Sequence, residues 1–130
     1  MSGSILGTSK LVAFAPVTDF EKACAFYEGV LGLRLVSEEK PFALVFDANG
    51  TMLRVTPVGA QHNPAPFTIL GWHVESISET VAKLNTAGVK LLHFPWFGDT
   101  APNDIWNAPG GAKVAWFNDP DGNVLSVTEF

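Results

Sequence analysis

Few residues in this 130-residue chain have the type and placement to do chemistry. In the run 51–58, Leu53 and Val55 take one face of a strand and Met52, Arg54 and Thr56 the other. A guanidinium so placed can clasp a carboxylate or phosphate with two parallel hydrogen bonds, or pair with a neighbouring carboxylate for structure alone. His73 shares a strand face with Ile69 and Gly71, where imidazole could hydrogen-bond a ligand, act as a general base, or serve as an ordinary structural group. His93, among Leu91, Leu92 and Phe94, reads as a packing or edge residue, and His62, in the Gly/Pro/Asn-rich link 59–66, as a solvated one. Cys24 sits in the apolar stripe of a helix, with neither an adjacent histidine nor a helix N-terminus to activate its thiol, and reads as core. Asp119 and Asp121 are turn formers, while Asp99 and Asp104 are loop carboxylates whose partners the sequence does not name.

The tryptophans form a second group. Trp96 and Trp106 flank the loop WFGDTAPNDIWNAPGG, too polar and rich in Gly and Pro to be a regular element and long enough to serve as a lid or binding loop. Trp106 and Phe14 would then supply flat apolar walls, with Trp106 as a core plug the competing assignment. Trp72 and Trp116 are expected to pack against helices.

Alternating apolar runs at 10–16, 33–38, 42–47, 51–58, 67–74, 90–94, 112–118 and 123–130 predict strands. Two helices interrupt them. One opens at Thr18 with Glu21 completing a capping box, and the other opens at Ser76 with Glu79 in the same relation. The order β-α-β-β-β therefore occurs twice. Val17, Phe20, Cys24 and Tyr27 recur 57 positions later as Val74, Ile77, Val81 and Leu84, and the turn DANGT at Asp47 recurs 72 positions later as DPDGN at Asp119. Residues 1–9 read as a flexible tail, about 10–58 as a first repeat and about 67–130 as a second, together forming a single domain.

Composition narrows the partners. An apolar fraction of 47% with 16% charged residues indicates a folded globular chain, and a net charge of −5 without a basic cluster argues against nucleic acid or an anionic membrane. One cysteine excludes an internal disulfide and a multi-cysteine metal site. No apolar run reaches membrane-spanning length and no leader core is visible, so a cytoplasmic location is expected.

The stretches VTDFEKACAFYEGVLGLRL, LNTAGV and VAWFNDPDGN, with the strand order, resemble the vicinal oxygen chelate superfamily, which includes glyoxalase I, the extradiol dioxygenases and the bleomycin resistance proteins. The resemblance covers the chain after residue 10 and implies an α+β fold in which two βαβββ repeats form an open mixed-sheet cup. Metal enzymes of that family take ligands from the first and last strand of each unit, and on this chain those slots fall at Val12, Arg54, Ile69 and Ser126. Val and Ile have no lone pairs, Arg stays protonated, and a lone serine is a poor ligand, so no metal and no other cofactor is expected. The resemblance then implies a metal-free protein binding a small organic molecule, anionic or aromatic, in an apolar cup. Arg54, His73 and Ser126 would supply polar contacts and Phe14 and Trp106 the walls. Arg54, with no carboxylate in the other slots, is expected to be unpaired and to anchor an anion. Two alternatives stay open: a metal-dependent lyase, isomerase or dioxygenase on another register, and a metal-free enzyme with His73 as base and Arg54 stabilising negative charge. A homodimer is expected, because each half-cup has an open edge and an apolar concave face.

Overall fold

Hairpins and crossovers come from the chain's own punctuation. Asn49 and Gly50 both take positive φ between two strands, and Asp47 Oδ1 accepts from Gly50 N at 3.0 Å. A computed structural model describes residues 4–97 and 102–130, so Asp99 lies outside the described residues. In chain order it contains β1 (Val12–Val17), α1 (Phe20–Cys24), β2 (Arg34–Glu39), β3 (Ala43–Ala48), β4 (Thr51–Pro57), β5 (Thr68–His73), α2 (Ile77–Thr86), β6 (Trp106–Asn107), β7 (Lys113–Asn118) and β8 (Val124–Glu129). The strands form two four-stranded mixed sheets: sheet A in the order β1-β4-β3-β2 and sheet B in the order β5-β8-β7-β6. In each, the first strand lies parallel beside the last and the other pairings are antiparallel. The fold is therefore α+β, and the internal repeat is a repeat of topology.

Three local expectations are corrected. The first helix is capped by Asp19, whose carboxylate accepts from Glu21 N and Lys22 N, because the Thr18 hydroxyl is engaged with Asp121 Oδ1 instead. α1 also continues as a π-helix over Ala25–Val30, closing with Leu31 N to Phe26 O at 2.9 Å. The run 90–94 is not a strand. It keeps a bridge between Leu91 and Phe117 and a bond from Leu92 N to Trp116 O, then leaves the sheet at Pro95, which has no N–H for a ladder. The short β6 takes the edge of sheet B farther on. Ser76, by contrast, caps α2 as expected, its hydroxyl accepting from Glu79 N at 3.3 Å. At the N-terminus, residues 4–9 form exposed turns.

One core joins both sheets to both helices. Ala15, Leu53, Val55, Leu44 and Phe46 of sheet A and Ala115, Phe117, Leu125 and Val127 of sheet B bury against Phe26 and Tyr27 on one side and Ile77, Val81 and Leu84 on the other. The halves are further tied by hydrogen bonds. Tyr27 Oη donates to Asp119 Oδ2 at 2.7 Å, and Asn123 Nδ2 donates to Pro16 O at 2.7 Å, so the second repeat's turn grips the first repeat's helix and strand.

Burial, and then the Asp119 charge, raise the Tyr27 phenol above its ordinary range. An unfolded chain ionises tyrosine near pH 10, whereas the folded chain holds the proton. Stability from this group is thus complete below about pH 10 and falls as pH climbs beyond it. Tyr27 is the sole tyrosine. Tyrosinate absorbance should therefore appear only as the chain unfolds in alkali. Tyr27→Phe, which strips a buried carboxylate of a donor, should cost about 1.5–3 kcal/mol in urea denaturation at neutral pH. An ordinary tyrosine titration in the folded protein would contradict the assignment.

Candidate functional site

Strand parity decides which residues leave the helices and face the cup. In sheet A, Leu53 and Val55 go to the core, so Met52 and Arg54 face the other way, with Phe14 opposite Arg54 on β1 and Val45 opposite it on β3. Val12 stands opposite Met52. Arg54 does reach this face, but it is not unpaired: its Nη2 lies 3.2 Å from Glu39 Oε1, at the end of β2. The partner carboxylate lies outside the four family slots, because Glu39 comes from the outer strand of the same sheet. A second pair, Arg34 on β2 with Asp47 on the adjacent β3 at 3.6 Å, lies nearby. The guanidinium is thereby neutralised within the protein and does not have to recruit an anion.

Sheet B builds a different surface. Leu125 and Val127 face the core, which leaves Ser126 and Thr128 on the cup side, registered with Gly71 and His73 of β5. A Cβ on Gly71 would come within 2.8 Å of Ser126 Oγ, so a larger residue there would force that hydroxyl to turn away. Ile69 is the extra residue of a bulge between Thr68 and Leu70 and packs against the core, so it does not share the His73 face. His73 is exposed, and its ring meets the edge of Phe130 at 5.1 Å.

Trp116 overturns its assignment to the helix side. It is the cross-strand partner of Ser126, and directly opposed residues share a face, so it stands on the cup side with its Nε1 donating to Thr68 Oγ1 at 2.9 Å. Folding the hairpin about DPDGN on paper would have paired 116 with 126. Around it gather Trp96 at 5.5 Å, Trp106 at 6.1 Å, Phe97 at 5.4 Å and Phe94 at 5.5 Å between ring centroids. Phe94 and Trp96 stack at 9° between planes, while Trp96 meets Trp106 edge-on at 4.8 Å. Trp106 is therefore a wall residue of this face rather than a core plug. Trp72 packs against the core, as expected.

The remaining candidates have structural partners. His93 Nδ1 and Asp104 Oδ1 are 2.8 Å apart, which ties the chain around the aromatic group to the start of its loop. His62 is not a solvated side chain, since its Nε2 lies 2.9 Å from Asp121 O. The Cys24 thiol is pushed up by burial and then by Glu28, whose Oε1 is 3.6 Å from the sulfur, and this favours an inert thiol. Arg54, Phe14 and Val12 thus stand on sheet A, and His73, Ser126 and Trp106 on sheet B. Among the described residues no hydrogen bond, ion pair or ring contact joins the two sets.

A divalent ion does not fit the four family slots. Val12 and Ile69 offer no donor atom, Arg54 is a cation held by Glu39, and Ser126 has one hydroxyl. Among the described residues no three His, Cys, Asp or Glu side chains cluster to hold a metal.

Comparison with known proteins places this geometry. The family model described as Glyoxalase/Bleomycin resistance protein/Dioxygenase superfamily matches residues 10–127. A search of curated proteins finds no match. Among solved structures, a Bacillus anthracis protein assigned to the glyoxalase family superposes with a TM-score of 0.76 at 18% identity, covering 99% of this chain and 98% of that one. TnmS3, an antibiotic binding protein from Streptomyces sp. CB03234, gives 0.74 at 23% identity over 97% and 98%. Lactoylglutathione lyase from Agrobacterium tumefaciens gives 0.71 at 18% identity over 94% and 93%. At these identities the likeness is one of fold.

The paired state of Arg54 is open to a direct check. Arg54→Met breaks a partly exposed ion pair and should lower stability by only about 0.2–1 kcal/mol in urea denaturation. Calorimetric titration of matched carboxylate and amide ligands should show little difference between the variant and the parent. A loss of more than tenfold for the acid alone would restore an anion-anchoring role.

Proposed function

Because this chain belongs to the glyoxalase/bleomycin resistance protein/dioxygenase superfamily, we propose that it binds a small planar aromatic molecule, without a metal, on the cup face of sheet B. One observation carries this reading: Trp96, Trp106 and Trp116 converge on one side of the sheet, with Trp96 56% exposed. Leaving a large indole in water forfeits hydrophobic stabilisation, and aromatic walls of this kind are what a flat ligand covers. Ser126 and the Trp116–Thr68 hydrogen bond supply the few polar atoms nearby. The likeness in fold to an antibiotic binding protein is consistent with it. Catalysis through His73 is the weaker reading, because an imidazole base needs an orienting partner and among the described residues its ring meets the Phe130 edge with no hydrogen-bond partner.

The binding unit in this proposal is a homodimer. The cup face of sheet A leaves Val12, Phe14 and Met52 exposed in the single chain, and the cavity beside Met52 and Val12 draws no residue from sheet B. A second copy, seating its sheet B against this face, would close the cup and cover those side chains.

Titration with 1,4-naphthoquinone should quench tryptophan fluorescence saturably, equally well with or without added Zn²⁺ or Ni²⁺. Trp96→Ala should weaken binding about three- to tenfold, the range of an aromatic pair. Light scattering should give a dimer. Quenching that never saturates would sink the binding proposal, affinity that requires metal would favour the metal-enzyme reading, and a monomer would remove the closed cup.

A further inference from the structure

Away from the cup, on the helix side of sheet B, a cavity of about 300 Å³ opens between the end of the π-helix and α2. Val30 and Leu31 form one wall, Leu84 the opposite one, and Trp72 and Phe117 the floor. Lys83, Thr80 and His73, the last at the rim shared with β5, are its polar lining residues. We infer that this cavity is a second binding site, separate from the cup, for a mono- or bicyclic apolar molecule carrying an anionic group.

Three observations converge on it. The first is its construction. The π-turn, with Leu31 N bonded to Phe26 O five residues back, sends both Phe26 and Tyr27 into the core and leaves Val30, 37% exposed, at the cavity. A regular α-helix would carry these side chains in a different register, and π-turns are rare and found frequently at functional sites. The second is its size and lining, which lie at the lower end of the range for small-molecule pockets. The third is charge. Thr80 Oγ1 donates to Ser76 O at 2.9 Å and is occupied, whereas Lys83 has no ion pair among the described residues, not even with Glu79 one turn before it. An anionic head beside Lys83 would gain that ammonium as partner while the ring buries against Trp72 and Leu84. The carbonyl end of α2 is close by and opposes the anion, so the preference rests on Lys83 and is modest.

The test uses the full chain and 8-anilinonaphthalene-1-sulfonate, with the neutral N-phenyl-1-naphthylamine as its uncharged counterpart. Both should bind with enhanced fluorescence. Lys83→Met should weaken the sulfonate about three- to tenfold and leave the neutral probe unchanged. Val30→Trp, which fills the cavity from its solvent side, should abolish both. Should Val30→Trp fail to fold, Thr80→Phe fills the same space from α2. Both probes are planar aromatics that the cup face would also take, so each variant is read in the Trp96→Ala background: there the cavity should still bind them, and this site and the cup reading can fail separately. Sulfonate binding that survives the filling variant, that Trp96→Ala removes, or that Lys83→Met leaves at full strength overturns the proposal.

Discussion

Asp119 is only 4% exposed, and its carboxylate accepts four hydrogen bonds: from Tyr27 Oη, from the backbone N–H of Asp121 and of Asn123, and from Asn123 Nδ2. A buried carboxylate is costly unless its lone pairs are answered, and here the set of four is complete only when both halves of the chain are docked. Three of those bonds close the turn locally. The fourth comes from a helix 92 residues earlier, and the Asn123 amide reaches Pro16 on β1 as well. The turn that joins β7 to β8 is thus also the bolt between the two repeats. Its position sets how β8 lies beside β5, and through β8 where Ser126 and its partner Trp116 stand.

Given that docking, the two sheets share a topology but not a surface. Sheet A answers its own charges, Arg54 with Glu39 and Arg34 with Asp47, around an apolar ground of Val12, Phe14 and Met52. Sheet B trades its expected second strand for a departure at Pro95, and that departure carries Phe94, Trp96 and Phe97 onto Trp116. Divergence between the halves therefore lies in one segment of chain, and the aromatic face follows from it.

Much of the architecture is legible in local pattern. Alternation marked seven of the strands, Ser76 and Glu79 marked the start of α2, and the recurrence of Val17, Phe20, Cys24 and Tyr27 as Val74, Ile77, Val81 and Leu84 marked the duplication. These signals survive because they depend on neighbours a few residues away. Errors arose where a distant group competed for a local one. Thr18 lost its cap role to Asp121, and His62 found the Asp121 carbonyl. The bulge at Ile69 and the π-turn after Cys24 broke periodicities that extrapolation carried straight through.

By itself, then, the amino-acid order determined the βαβββ duplication, the faces of β1 and β4, the resemblance to a family, and the lack of metal donors at Val12, Arg54, Ile69 and Ser126. All of these are properties of side-chain type and of period, which need no partner strand. Only the tertiary structure decided that Arg54 is neutralised by Glu39, that Trp116 faces the cup, and that Trp96 and Trp106 join it. Each of those depends on the register between strands and on a loop folding back, and hydrogen bonding across a sheet brings together residues whose separation along the chain carries no trace of the contact.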